Sequence, residues 1–172
     1  MALTLIKEDG TGKMDANAYA SAADGDAYHE GHLYATAWTG AATANKEKAL
    51  VMATRLIDAE YRFNGVKANA AQALQWPREA CRDLDGTDYL ASDAVPGAVV
   101  NATCELAREL LVKDRTVAPA GEGLKYQNVG STQTGYDKTD TPPVISRVAQ
   151  AMLAKLGSLL KAKSGAVNLV RV

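Results

Sequence analysis

The sequence predicts a mainly α-helical domain, a small bundle of about four helices with short β additions and extended termini. Three observations carry this. Apolar residues recur at the helical period in several long stretches, and capping or turn-forming residues bound each stretch. A chain of 172 residues with 47% hydrophobic content also supplies one continuous core.

Residues 1–20 read as an extended amino-terminal segment: the apolar run Ala2 to Ile6 predicts a short strand, and Glu8-Asp9-Gly10-Thr11-Gly12 a turn. A helical core follows over 21–112. Ser21 and Asp24 form a capping box using Asp, which opens a first helix reaching roughly Leu33. Asn45 is placed to cap a second helix, whose apolar positions Ala49, Leu50, Ala53, Leu56, Ile57 and Tyr61 keep the period and which Asn64-Gly65 ends as a left-handed cap. Between 66 and 95 lies a connector in which Pro77 pushes Trp76 toward extended backbone, with the indole buried.

Pro96 starts a third helix, where Val99, Val100, Thr103, Cys104, Leu106, Ala107, Leu110 and Leu111 make a wide apolar face. Residues 113–141 are rich in Gly, Thr and Ser and read as a loop or hairpin insertion with a strand at Leu124 to Val129. A carboxyl-terminal helix is expected over 142–164, starting at Pro142-Pro143 and aligning Val144, Ile145, Val148, Met152, Leu156, Leu159 and Leu160. Residues 165–172 form an extended arm. The β-branched and apolar residues Val167, Leu169, Val170 and Val172, with Arg171, make that arm a candidate partner-binding strand.

Charge restricts the functional classes. Nineteen basic and twenty acidic side chains nearly cancel, so the molecule as a whole has no electrostatic pull toward polyanions. The ends differ: residues 1–30 sum to minus four, whereas residues from 141 onward carry five cations and no carboxylate side chain. Two cysteines, Cys81 and Cys104, without a basic-then-apolar leader favour a reducing compartment. No apolar run approaches the roughly 20 residues that span a bilayer.

Catalytic and metal motifs are incomplete. Gly10-Thr11-Gly12-Lys13 resembles the end of a phosphate-binding loop, but Lys7 and Met14 stand where that motif needs glycine and a hydroxyl. His29 and His32 are three apart, with Asp26 one turn earlier, and lack the spacing of a zinc helix. Asp83, Asp85 and Asp88 around Gly86 lack the glutamate of a calcium loop. No nucleophile sits beside a histidine in a pattern that suggests a triad, so neither enzyme activity, cofactor nor metal is expected. The best nucleic-acid candidate is Arg62, Phe63 and Lys67 with Trp76 and Arg78, because single strands bind through aromatic stacking and cationic side chains. The competing expectation is that these residues pack at a helix end.

Several segments together suggest a family. Glu8-Asp9-Gly10-Thr11-Gly12, Asn17-Ala18-Tyr19, Ala27-Tyr28, Trp38, Tyr61-Arg62-Phe63-Asn64-Gly65, Gln72 to Arg78, and Ala94-Val95-Pro96 leading to Glu105-Leu106-Ala107 resemble a bacteriophage family labelled as DnaT-like single-stranded DNA-binding proteins. The likeness covers about the first 112 residues, and its helical layout is similar to the head-to-tail adaptor, or connector, proteins of tailed phages. That resemblance implies a structural ring subunit, dodecameric, placed in the virion neck after assembly in the host cytoplasm. Its implied partners are copies of itself, the portal, and a tail-side completion or terminator protein. DNA would pass through the lumen without sequence-specific contact, and no membrane is involved. The alternative implied by the same resemblance is a DnaT-like single-stranded DNA-binding protein.

Overall fold

The computed structural model describes residues 3–82, 85–117, 126–130, 132–135 and 143–160. In chain order they form α1 (Ala22–Glu30), α2 (Thr36–Thr39), α3 (Thr43–Glu60), β1 (Tyr61–Phe63), β2 (Val66–Lys67), β3 (Arg78–Glu79), α4 (Gly97–Leu110), β4 (Tyr126–Val129), β5 (Thr132–Gly135), α5 (Arg147–Leu153) and β6 (Gly157–Leu159). The fold is mainly α with short strands, as its periodicity predicts.

Helix α4 is the hub, packing on α3, α5 and α1. Its apolar stripe explains this: Val99, Ala102, Cys104, Leu106 and Ala107 are all buried. Leu106 meets a core that also contains Leu50 and Ile57 of α3, Leu153 of α5, and Trp38 and Trp76. Leu110 and Val100 are only half-buried at the edge of that core, so the apolar face is narrower than the sequence pattern suggests.

The capping box of α1 forms as expected: the Asp24 N–H donates to Ser21 Oγ at 3.2 Å and the Ser21 N–H to Asp24 Oδ2 at 2.7 Å. The helix ends at Gly31, short of Leu33. The four-residue α2 has no counterpart among the predicted elements; it seats Trp38 against Gly25, where an added Cβ would lie 2.2 Å from the indole. Helix α3 begins after Ala42, and Asn45 sits inside its first turn instead of capping it.

Two expected helix ends are replaced by strands. The second helix was expected to reach Asn64-Gly65, yet the chain turns extended at Tyr61, and β1 pairs antiparallel with β6, Tyr61 opposite Leu159 and Phe63 opposite Gly157. The long carboxyl-terminal helix expected over 142–164 is accordingly cut to the 7 residues of α5, capped by Ser146, whose Oγ accepts the Ala149 N–H. Gly157 is the physical reason: a Cβ there would fall 2.5 Å from the Arg62 carbonyl oxygen, so this close strand pairing needs glycine. Leu156 is buried, but Val148 and Leu160 are 51% and 56% exposed and lie off the core.

The amino-terminal segment makes no strand over Leu3–Ile6. It folds back through Asn17, whose N–H donates to the Ile6 carbonyl at 2.9 Å while its Oδ1 accepts the Ile6 N–H at 2.8 Å. Ala18, Tyr19 and Ala20 are consequently buried against α3, where Thr54 Oγ1 accepts the Tyr19 N–H. Beyond residue 113, β4 and β5 form the expected hairpin, while Leu124 lies outside the described residues. So does the whole arm with Val167, Leu169, Val170, Arg171 and Val172. No described helix is long and apolar enough to cross a membrane.

Candidate functional site

The five residues nominated for nucleic-acid contact gather in one corner, built by β1, β2, β3 and the connector before β3. Strand β1 alternates buried, exposed, buried, which turns Tyr61 and Phe63 inward and Arg62 outward. Phe63 meets Trp76 edge-on with ring centroids 5.6 Å apart, and stacks on Tyr61 at 5.7 Å. Trp76 is fully buried and Phe63 is 5% exposed, so neither ring has a face on which a base could stack. The corner is assembled from the right residue types, but the core uses them.

Arg78 is similarly committed. Its Nε donates to the Asn64 carbonyl at 2.7 Å, Nη2 to the Gly65 carbonyl at 2.7 Å, and Nη1 to the Gln75 carbonyl at 3.0 Å. The planar fork thereby ties the β1–β2 turn to the connector. Burial pulls its pKa down from the ordinary arginine value. Lys67 is half-buried, with Nζ 3.4 Å from the Gln72 carbonyl, which leaves Arg62 as the exposed cation of the five.

The connector is held by a network that sequence reasoning missed. Tyr19 donates its phenolic hydrogen to Asp58 Oδ1, and Asp58 Oδ2 accepts the Gln75 N–H at 3.0 Å. Gln72 Nε2 donates to the carbonyls of Leu74 and Pro77, on either side of the cis Trp76–Pro77 peptide. Burial raises the Asp58 carboxyl to about 6. In the sequence Asp58 stands next to the apolar position Ile57 and one helical turn after Thr54.

The glycine-rich turn contains a built anion site that is already filled from within. Glu8 is fully buried, and its carboxylate accepts the N–H groups of Gly10 and Gly12 at 2.9 Å each and of Lys13 at 2.8 Å. Converging backbone amides are what a phosphate would need, and here a side chain of the same loop takes them. Gly10, at φ +104°, lies against the Asp93 carbonyl, where a Cβ would come within 1.9 Å. The signal was present in the sequence as a carboxylate two and four residues before the glycines.

His29 and His32 are brought to α4 without forming a metal centre. His29 is buried, with Nε2 3.1 Å from the Cys104 carbonyl, so Nε2 carries the hydrogen, and Nδ1 has no partner among the described residues. Burial holds its pKa below the ordinary histidine value. Glu105, also buried, pairs with Arg108 and lies 3.7 Å from His32 Nε2. No group of three or more His, Cys, Asp or Glu side chains among the described residues is arranged to hold a metal. Asp85 and Asp88 are exposed, and Asp83 lies outside the described residues.

These features define a mainly helical protein in which the buried Glu8, Gln72 and Arg78 hold loops and turns in place. Residues 3–172 match the family described as "Putative DnaT-like ssDNA binding protein", and the chain belongs to that family. The match extends well past residue 112, where the likeness read from individual motifs stopped. Neither a curated protein nor a solved structure matches the chain.

Proposed function

We propose that the protein is a non-enzymatic head-to-tail connector subunit of a tailed bacteriophage, forming a ring between portal and tail through which DNA passes. The observation that carries this choice is the burial of Phe63 and Trp76 together with the commitment of Arg78 to backbone carbonyls. The nominated stacking site therefore belongs to the scaffold, which favours binding through protein surfaces. On this proposal the partners are other copies, the portal and a tail-side protein, and the carboxyl-terminal arm from Val167 to Val172 docks on the portal.

The alternative reading is single-stranded DNA binding. It is favoured by the family description, which names that activity, whereas no match names a connector. Exposed Arg55 and Arg62 are cations that phosphates would meet.

Two measurements separate them. Fluorescence anisotropy with a labelled oligonucleotide at about physiological salt is expected to give weak or no binding; micromolar or tighter binding that falls steeply with salt supports the alternative reading and overturns the first. Locating the protein in purified virions, at the neck, supports the connector; its absence from particles overturns it. Deleting residues 165–172 is expected to leave the melting midpoint nearly unchanged and abolish attachment to portal-bearing heads.

A further inference from the structure

Helix α3 presents a groove to solvent along the edge of its buried stripe, with the buried Val51 at the base. Leu3, Val51, Met52 and Leu56 make an apolar floor, Lys48 and Arg55 stand beside it, and the space they enclose is about 440 Å³. Lys48 and Arg55 are seven residues apart, two helical turns, which sets them about 10 Å apart along the axis on the same side. Both are exposed, and neither forms an ion pair among the described residues. An apolar floor between two unpaired cations fits a segment that offers an apolar or aromatic side chain among carboxylates.

The same chain carries such a segment. Asp85, Asp88 and Asp93 are exposed, and Tyr89 among them is 59% exposed. The loop is tied at its base: Arg82 and Tyr89 form an antiparallel bridge, the Leu90 N–H donates to the Cys81 carbonyl at 2.8 Å, and Arg82 Nη1 donates to the Gly86 carbonyl at 3.1 Å. The Arg82 guanidinium lies 5.0 Å from the centre of the Tyr89 ring. Asp85 has a long contact of 3.7 Å to the exposed Lys155, a pair worth little in water.

We propose that the α3 groove of one copy receives the Tyr89 loop of a second copy, Lys48 and Arg55 pairing with its carboxylates and Tyr89 seating on the Val51, Met52 and Leu56 floor. Made once per pair of copies, the contact joins two different surfaces of identical chains; it is then head-to-tail and propagates to a ring if the rotation closes. The proposal rests on the ring reading above for its setting and names the surfaces that reading lacks.

Charge reversal tests it, with sedimentation velocity of the full chain at low and moderate salt. Wild type is expected to self-associate, less at higher salt; Lys48→Glu/Arg55→Glu and Asp88→Lys/Asp93→Lys are each expected to be monomeric. All four positions are exposed, and unchanged thermal midpoints would verify that the variants fold. Mixing the two variants, or combining all four substitutions in one chain, is expected to restore association, because each reversed surface then meets its complement. Wild type that stays monomeric at all concentrations overturns the proposal. Association that survives both reversals overturns it too, while leaving the ring reading intact on another surface. Restored association in a protein absent from virions upholds the contact and defeats the connector reading.

Discussion

Tyr19 and Asp58, 39 residues apart, share one short hydrogen bond, and the Tyr19 oxygen also accepts the N–H groups of Gln75 at 3.0 Å and Trp76 at 3.2 Å. The amino-terminal segment, α3 and the connector are thus joined at a single buried point. Asp58 holds this position against its own desolvation, which raises its carboxyl from the ordinary 3.8 to about 6.

A pH dependence follows from that shift. The folded-state pKa lies above the unfolded one, so the stability contributed by the neutral carboxyl is fully present below about 3.8 and is lost as pH rises through about 6. The full swing is about 3 kcal/mol at most. Urea unfolding of wild type and Asp58→Asn between pH 4 and 7 is expected to give a difference that changes across this window; a constant difference would show that Asp58 does not titrate there. The slope is the readout, because the amide, with a single acceptor oxygen, cannot accept from both Tyr19 and the Gln75 N–H as the carboxylate does.

The core prediction concerns Leu106, which is fully buried on α4, and Leu110, which is half-buried one turn later. Leu106→Ala is expected to cost about 2–5 kcal/mol, and Leu110→Ala clearly less because part of its surface already meets water. Thermal melting of both variants checks the order, and equal shifts would contradict it.

Glu8→Gln is expected to destabilise by about 1–3 kcal/mol, although it changes neither size nor shape. An amide nitrogen cannot accept the N–H groups that the carboxylate now satisfies, so at least one buried donor is left unpaired. Chemical denaturation measures the loss. An unchanged midpoint would mean that the loop finds another way to satisfy Gly10, Gly12 and Lys13.

Arg78→Lys retains the charge and removes the fork. Because one ammonium cannot reach Asn64, Gly65 and Gln75 as the guanidinium does, the variant is expected to lose about 1–3 kcal/mol for a carbonyl left buried and unpaired. The same variant should leave oligonucleotide affinity unaltered in anisotropy. A stable protein with weakened DNA binding would reverse the assignment of Arg78 to the scaffold.

The mainly helical class, the capping box at Ser21, the α4 apolar stripe and the burial of Trp76 were all readable from the chain, since period and caps act within a few residues of where they stand. Tertiary structure decided the rest. Tyr61 to Phe63 continue a helical pattern in sequence but become a strand because Gly157, nearly a hundred residues later, permits backbone pairing. Phe63, Trp76 and Arg78 have the side chains of a single-strand platform, and only their three-dimensional neighbours turn them into core and clamp. Glu8 could be noticed in the sequence, but that its carboxylate closes on the amides of its own loop depends on the burial supplied by packing. Local pattern sets what each segment can form; desolvation, which depends on every neighbour at once, sets what each side chain does there.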